Sequence, residues 1–175
     1  IVLRAPTQVW SDATGDIGGA TVHGVYHGDV RHLRALSVSC AGSRIEWIST
    51  APDGPSRTVF GGLLRGLDDT APDPKLRLLR DRRVADGRVS ETWTVRSRLD
   101  SPVSVTLRLA LVPEFAQLHE VKSGHAHARP AVVEARDDGV ALDAGAQGLD
   151  LTAPGARMAS GAEGVEAIWD LEVPA

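Results

Sequence analysis

The strongest constraint on the fold is a strict alternation of apolar and polar or small residues between Val103 and Leu111. Every odd position in this stretch is aliphatic. Successive side chains of a β-strand point to opposite faces, so a strand here buries one face and leaves the other in solvent. A helix would spread the same residues around its circumference. The five inward aliphatic side chains would gain on the order of 10 kcal/mol from burial, before entropy costs.

Segments rich in β-branched and aromatic residues recur beside this stretch, separated by turn residues. Arg88–Leu99 is one such segment, with Asp-Gly before it at 86–87 and Asp-Ser-Pro after it at 100–102. Such residues favour turns. We therefore predict a three-stranded meander over residues 75–112.

Further strands are predicted on the same grounds. A second hairpin joins Leu33–Cys40 to Arg44–Thr50 through a turn at residues 41–43. Two more strands are predicted at Arg57–Leu64 and, as the last in the sequence, at Gly164–Val173.

Helix plays almost no part in this pattern, since only Glu114–His119 is predicted to form a helical turn. Many short strands, with turn residues roughly every 8–12 positions, are typical of a sandwich or barrel. We therefore predict an all-β fold. It is a single domain over residues 1–175, a large antiparallel β-sandwich of about 10–13 strands with little or no helix.

Charge and hydropathy argue against several classes of function. The net charge is −4 and no basic block is present, so no nucleic-acid partner is expected. No stretch approaches the roughly 18–20 apolar residues of a membrane span, so no membrane partner is expected. The single Cys40 cannot form an intrachain disulfide, which favours a reducing compartment, and we expect a cytoplasmic location. Because Cys40 alternates with Leu36 and Val38, it should be a buried small residue.

Three segments carry a resemblance to a known family. They are Gly24–Leu33 running into Leu36–Gly42, Leu79–Glu91, and Glu114–Gly124 with the sequence Glu-Phe-Ala-Gln-Leu-His-Glu-Val-Lys-Ser-Gly. In order and spacing they resemble the N-terminal domain of bacterial and archaeal glycogen debranching enzymes (amylo-alpha-1,6-glucosidases). The third segment is similar to the family's Asp-Phe-Ala-Asp-x-Phe-Glu-Val-Arg-Gly. It departs from that pattern at Glu114, Gln117, His119 and Lys122.

The resemblance implies that this chain is one domain of a longer protein whose catalytic residues lie in another domain. In the family a β-sandwich precedes an (α/α)6 catalytic domain, which carries the paired acidic residues. We therefore expect a non-catalytic accessory domain without a cofactor, whose partner is an (α/α)6 domain of the same protein beyond Ala175. Six side chains are expected to contact that domain, or an alpha-glucan at its entrance. They are Asp29, Arg31, His32, Glu114, Glu120 and Lys122.

Some of these residues also have purely structural interpretations. Asp29 and Arg31 share one side of an extended chain, and an ion pair between them is favoured over a role at a surface. Glu114 and Glu120 are the best local pair of carboxyls for glycoside hydrolysis, which needs a separation of about 5–9.5 Å. Six residues of strand would place them roughly 20 Å apart, which argues against catalysis.

A cross-strand ion pair is predicted elsewhere in the second segment. Arg80 and Arg82 share one strand face, and Glu91 on the neighbouring strand can reach both of them. Most cross-strand ion pairs of this kind only neutralise charge and have no further role.

A free-standing carbohydrate-binding module is one alternative function. It needs exposed aromatic rings on which a sugar can stack. Trp47, Trp93 and Trp169 alternate with apolar residues and should lie in the core, which leaves Trp10 as the one exposed candidate.

A small metal-dependent β-barrel enzyme is the second alternative. His125 and His127 would share one face of a strand, and His119 could be a third ligand. No carboxylate or cysteine accompanies these histidines, so no metal site is predicted.

Overall fold

The alternating segments form β-strands in a computed structural model, which describes residues 1–161 and 164–175. The described residues contain fourteen strands, one short α-helix and a single 3-10 turn at Arg65–Leu67. The strands are β1 (Val2–Arg4), β2 (Thr7–Trp10), β3 (Gly24–His27), β4 (Val30–Cys40), β5 (Glu46–Pro52), β6 (Arg57–Leu63), β7 (Arg77–Ala85), β8 (Arg88–Arg96), β9 (Val103–Gln117), β10 (Val132–Arg136), β11 (Gly139–Asp143), β12 (Gly148–Thr152), β13 (Arg157–Ser160) and β14 (Val165–Val173). The helix is α1 (Leu118–Ser123).

Three antiparallel sheets build the described part of the fold. The largest has seven strands in the order β1-β2-β3-β4-β9-β14-β13. A four-stranded sheet follows the order β5-β6-β7-β8, and a three-stranded sheet follows β10-β11-β12. One apolar core draws residues from all three sheets, for example Leu107, Leu78 and Leu142. The predicted all-β, antiparallel, sandwich-like class is confirmed.

The alternating stretch at residues 103–111 forms the centre of the largest sheet. It belongs to the 15-residue strand β9, which pairs with β4 on one side and β14 on the other. Val105, Leu107 and Leu111 are at most 2% exposed, as the alternation predicts. The intervening residues 104, 106, 108 and 110 are exposed or half-buried.

The predicted hairpin between Leu33–Cys40 and Arg44–Thr50 is wrong. Both segments are extended, but β4 lies in the seven-stranded sheet and β5 in the four-stranded sheet. The turn residues 41–45 therefore cross from one layer of the sandwich to the other. The apolar row of β4 instead pairs with β9, with Leu36 opposite Leu111 and Val38 opposite Leu109.

The predicted three-stranded meander is correct only in its first hairpin. β7 and β8 pair along their whole length, from Arg77 opposite Arg96 to Ala85 opposite Arg88. Residues 100–102 then lead into the other layer, where β9 lies between β4 and β14. Turn residues favour a reversal of the chain, but they do not determine whether the next strand pairs within the same sheet.

The remaining predicted elements are close to those observed. The strands at Arg57–Leu64 and Gly164–Val173 correspond to β6 and β14. The helical turn lies later than predicted, because Glu114 to Gln117 continue β9 and the helix begins at Leu118. Cys40 is 8% exposed in the core, as its alternation with apolar residues predicts.

A charged cluster lies inside the sandwich beside the apolar core. Arg80 and Arg82 lie between Leu78 and Val84 on the inward face of β7, and both arginines are fully buried. Glu91 accepts hydrogen bonds from Arg80 Nε at 2.9 Å and from Arg82 Nε at 2.7 Å. This confirms the cross-strand pairing predicted for Glu91.

Two further contacts hold the cluster in place. Arg80 Nη1 donates to Asp16 Oδ1 at 2.7 Å, which ties β7 to the loop before Ile17. The guanidinium carbons of Arg80 and Arg82 lie 5.8 and 5.5 Å from the ring centroid of Phe60. Each buried charge therefore has an opposite charge and an aromatic face beside it, which offsets the cost of removing it from water.

The stability of the fold at acidic pH is expected to depend on the ionisation of Glu91. Burial by itself would raise the pKa of this carboxyl, but the charges of Arg82 and Arg80 outweigh it and lower the pKa from 4.5 to about 2. A carboxyl with a lowered folded-state pKa stabilises the fold above its unfolded value and loses that contribution as the pH falls. We expect the free energy of unfolding to decrease between about pH 4.5 and pH 2. In Glu91→Gln this decrease should be smaller, as measured by urea unfolding at a series of pH values, and an equally steep decrease in the variant would contradict the assignment.

Candidate functional site

The end of the β3–β4 hairpin meets the end of β9 and the start of α1. Val30 pairs with Gln117 and Arg31 with Ala116 across the sheet. The backbone N–H of Leu118 donates to the carbonyl of Asp29 at 2.7 Å. This junction, residues 29–32 with 114–123, is called the hairpin–helix site below. It contains all six side chains predicted as candidates, which are Asp29, Arg31, His32, Glu114, Glu120 and Lys122.

An ion pair between Arg31 and Glu114 lies buried in the hairpin–helix site. Arg31 Nε donates to Glu114 Oε2 at 2.6 Å, and the two residues are 5% and 4% exposed. Arg31 Nη1 also donates to the carbonyls of Thr21 at 2.6 Å and His23 at 3.1 Å. Burial by itself would lower the pKa of Arg31, but the hydrogen bond to Glu114, the charge of Glu114 and the neighbouring Tyr26 together outweigh this effect and raise it. Arg31 is therefore a fixed, permanently charged group.

The predicted pairing of Arg31 with Asp29 is wrong. Asp29 lies exposed in the two-residue turn between β3 and β4, beside Gly28 at a φ of +55°. A positive φ is what this tight hairpin turn requires, and glycine adopts it without strain. Because the turn leaves Asp29 in solvent and β4 carries Arg31 inward, the acid that reaches Arg31 is Glu114, from a distant part of the sequence.

Phe115 has a strained backbone at the centre of the site. Its φ is +59°, which bulky residues rarely adopt. The pairing of β4 with β9 shifts register here, from Arg31 opposite Ala116 to Leu33 opposite Pro113, so Phe115 lies in a β-bulge. The ring is fully buried and meets the ring of His32 edge-on at 5.4 Å. Surrounding contacts must therefore fix this conformation, which is common where a fold positions a functional group.

Arg129 supplies much of that fixation, and the sequence reasoning did not identify it. Its guanidinium donates to the carbonyl of Phe115 and, at 3.1 Å, to Glu120 Oε2. Its own backbone N–H donates to the carbonyl of Glu114 at 2.8 Å. The segment after α1 thus folds back and closes the bulge.

Glu120 anchors the helix. Its Oε2 accepts a hydrogen bond from the backbone N–H of Gln117 at 2.7 Å, and together they form a capping box. The bond from Gln117 and the charge of Arg129 hold the pKa of Glu120 below its usual value. Glu114 and Glu120 are both engaged by arginines, so neither carboxyl is presented as a free acid or base.

The outer surface of the site is polar. His119 and Lys122 lie on α1 and are exposed, as is Asp29 on the adjoining turn. Beside Arg31 and Glu114 lies an open pocket of about 500 Å³, whose other walls include Thr21, Arg34 and the end of α1. A rigid, charged floor beneath a shallow pocket can bind hydroxyl groups or a partner's polar side chains.

The histidines proposed for the metal alternative do not converge. His125 and His127 lie in a connection that has no strand structure, so the prediction that they share a strand face is wrong. His119 lies on α1. Within residues 1–161 and 164–175, no group of three His, Cys, Asp or Glu side chains could hold a metal ion.

The tryptophans do not form an exposed platform either. Trp47, Trp93 and Trp169 are partly buried and pack against the core, as their alternation predicts. Trp93 and Trp169 meet edge to face at 5.1 Å. Trp10 is half-buried rather than exposed, and its indole N–H donates to Gln8 Oε1 at 3.1 Å.

A family model described as the N-terminal domain of some glycogen debranching enzymes matches residues 2–175. The chain belongs to this family. The three segments that resembled the family all lie within the match, and two of them meet in the hairpin–helix site of this debranching-enzyme domain. No curated protein sequence matches the chain at a significant level. In the described part of the domain, no helix is both long enough and apolar enough to span a membrane.

Proposed function

We propose that this domain is a non-catalytic accessory domain of an amylo-alpha-1,6-glucosidase-type debranching enzyme. Its hairpin–helix site contacts the (α/α)6 catalytic domain of the same protein and shapes the entrance through which an alpha-glucan reaches the active site. The observation that carries the proposal is the state of the two carboxyls, since Glu114 bonds to Arg31 and Glu120 to Arg129. Both carboxylates are therefore held in place by arginines, and neither is free to act on a substrate.

The electrostatics of the site support the non-catalytic part of the proposal. Glycoside hydrolysis needs one carboxyl with a raised pKa to act as the acid. In this site the pKa of Glu120 is lowered, and Glu114 lies against a guanidinium at 2.6 Å. Arg129 stabilises the charged form of Glu120, which makes this carboxyl a poor proton donor.

The contact part of the proposal rests on what remains exposed. Asp29, His119 and Lys122 extend from a base that the Arg31 and Arg129 networks hold in one conformation. A surface fixed in this way loses little entropy when a partner binds, which favours a lasting contact between domains.

Charge reversal at Lys122 should test the contact in the parent enzyme. We expect Lys122→Glu to lower debranching activity on a limit dextrin about fivefold or more, because a reversed charge at a domain interface costs at least about 1 kcal/mol. The thermal midpoint of the isolated chain should hardly change, since Lys122 is exposed. Arg136→Glu, which alters an exposed residue of β10, is the matched control and should leave activity unchanged. Equal activity in Lys122→Glu and in the wild-type enzyme would remove the interface proposal.

The isolated chain is not expected to bind free glucan tightly. With its tryptophans partly buried, the isolated chain has no extended stacking surface in its described residues. Titration with maltoheptaose, followed by calorimetry, should therefore show no binding below about 1 mM. Micromolar affinity would favour the carbohydrate-binding module instead.

A further inference from the structure

The outer face of the four-stranded sheet carries a concentration of arginines far from the hairpin–helix site. Alternation along β7 and β8 directs Leu78, Arg80 and Arg82 inward and the odd positions of β7 outward. Six arginines lie on the outer face or at its edge, and this set is called the arginine face below. They are Arg57, Arg77, Arg83, Arg88, Arg96 and Arg98.

Only part of this positive charge is neutralised within the chain. Arg57 bonds to Asp53 at 2.6 Å and to Asp81 at 2.9 Å, and Arg83 lies 3.2 Å from Asp81. Among the residues that the structure describes, Arg77, Arg88, Arg96 and Arg98 have no carboxylate within 4.0 Å. The neighbouring Lys75 is engaged by Asp69 at 2.7 Å and lies 3.8 Å from Asp100.

The register of the sheet brings two of the uncompensated arginines directly together. Arg77 on β7 is the cross-strand partner of Arg96 on β8, and both are exposed. Side chains directly opposite each other in an antiparallel pair have Cβ atoms about 4.5–5.5 Å apart, and like charges in that position destabilise the sheet. The backbone N–H of Arg98 donates to the carbonyl of Lys75, which continues the same ladder and adds a third guanidinium. The fold thus keeps repelling charges where neutral residues would be more stable.

We infer that the arginine face binds a carboxylate-rich protein surface. A guanidinium forms paired, charge-assisted hydrogen bonds with carboxylates. Carboxylates bound between Arg77 and Arg96 would therefore attract both side chains and offset the repulsion between them. The exposed side chains between the arginines, Thr92 and Thr94, are small and polar, so the face is flat enough for another protein surface to pack on it.

Nucleic acid fits this face less well. Trp93 of β8 lies on the inward face of the sheet and packs against Trp169, so its ring is not available for a base to stack on. The chain as a whole has a net charge of −4, which repels a polyanion at long range. A short acidic patch on a protein avoids most of that repulsion.

The test uses a short labelled hexaglutamate peptide as the probe, because it presents an acidic patch without the long-range repulsion of a polymer, with fluorescence anisotropy as the readout. We expect the wild-type chain to bind the probe at low ionic strength and to lose affinity as salt is added. Arg77→Gln/Arg96→Gln should weaken binding about tenfold, since the double variant removes the centre of the patch. The matched control is Arg108→Gln, an exposed arginine on the outer face of the other layer, which should bind within about twofold of wild type.

Several outcomes would overturn the inference. Absence of binding, or equal binding by the double variant, would show that the face does not recognise carboxylates. Tighter binding of oligo-dT through the same arginines would assign the face to nucleic acid. Salt-sensitive self-association in sedimentation, lost in the double variant, would assign it to a second copy of the chain. The thermal midpoint of the double variant should equal or exceed that of wild type, because a like-charge pair is removed. A fall of several degrees would make the two arginines structural and would also overturn the inference.

Discussion

Replacing Glu91 with alanine is expected to lower the free energy of unfolding by about 3–5 kcal/mol, the usual cost of leaving buried charge without its partner. Arg80 and Arg82 are fully buried, and Glu91 bonds to both of them. In the variant, Arg80 would keep Asp16 at 2.7 Å, whereas Arg82 would keep only backbone contacts and the ring of Phe60. Urea unfolding, read from tryptophan fluorescence and circular dichroism together, measures the loss.

Two comparisons distinguish this explanation from simple loss of side-chain volume. Glu134→Ala removes a carboxylate from an exposed pair with Arg136 and should leave the urea midpoint almost unchanged. The triple variant Arg80→Met/Arg82→Leu/Glu91→Leu replaces the charges with apolar groups and should lose less stability than Glu91→Ala does. If the triple variant were the less stable of the two, uncompensated charge would not be the cause.

Replacing Glu114 with alanine should have the second-largest effect, a loss of about 3 kcal/mol or more. It removes the carboxylate partner of the buried Arg31 guanidinium and leaves it with the carbonyls of Thr21 and His23. It also removes a contact that holds β4 against β9 beside the strained Phe115. We therefore expect the backbone around residues 114–123 to lose order. Amide exchange in this segment should be faster in the variant than in the wild type, whereas exchange in β7 should change less.

Glu114→Asp provides the matched control for that variant. It keeps the charge but shortens the side chain by one methylene, so it should lose clearly less stability than Glu114→Ala. In a double-mutant cycle with Arg31→Met, the coupling energy should exceed about 1 kcal/mol, because the two side chains are in direct contact. Additive effects of the two substitutions would contradict the ion pair.

Local patterns in the sequence were sufficient to predict several of the longer strands and one of the buried ion pairs. The alternation in residues 103–111 identifies β9, because the period of two follows directly from strand geometry. The pairing of Glu91 with Arg80 and Arg82 was predictable since a short hairpin joins their strands. Both features depend on residues that are close in the sequence.

Features that depend on distant residues could not be predicted in this way. Arg31 and Glu114 are 83 positions apart, and no local signal indicates that β4 lies beside β9. The same limitation explains why the turns at residues 41–45 and 100–102 were interpreted as reversals within one sheet. Pro113 was an available signal for irregularity, because proline inside a strand marks a bulge or an edge. Arg129 lies in a segment without a periodic pattern, so nothing in the sequence connected it to Phe115.

The proposed contact between the hairpin–helix site and a catalytic domain is tested most directly by hydrogen–deuterium exchange. The experiment compares the parent enzyme with the isolated chain, and it reads the amides of residues 28–31 and of α1, with β10 as an internal reference. If the site is an interface, its amides should exchange at least about tenfold more slowly in the parent enzyme, while those of β10 are unchanged. Equal exchange of the hairpin–helix site in the two proteins would contradict the proposed contact.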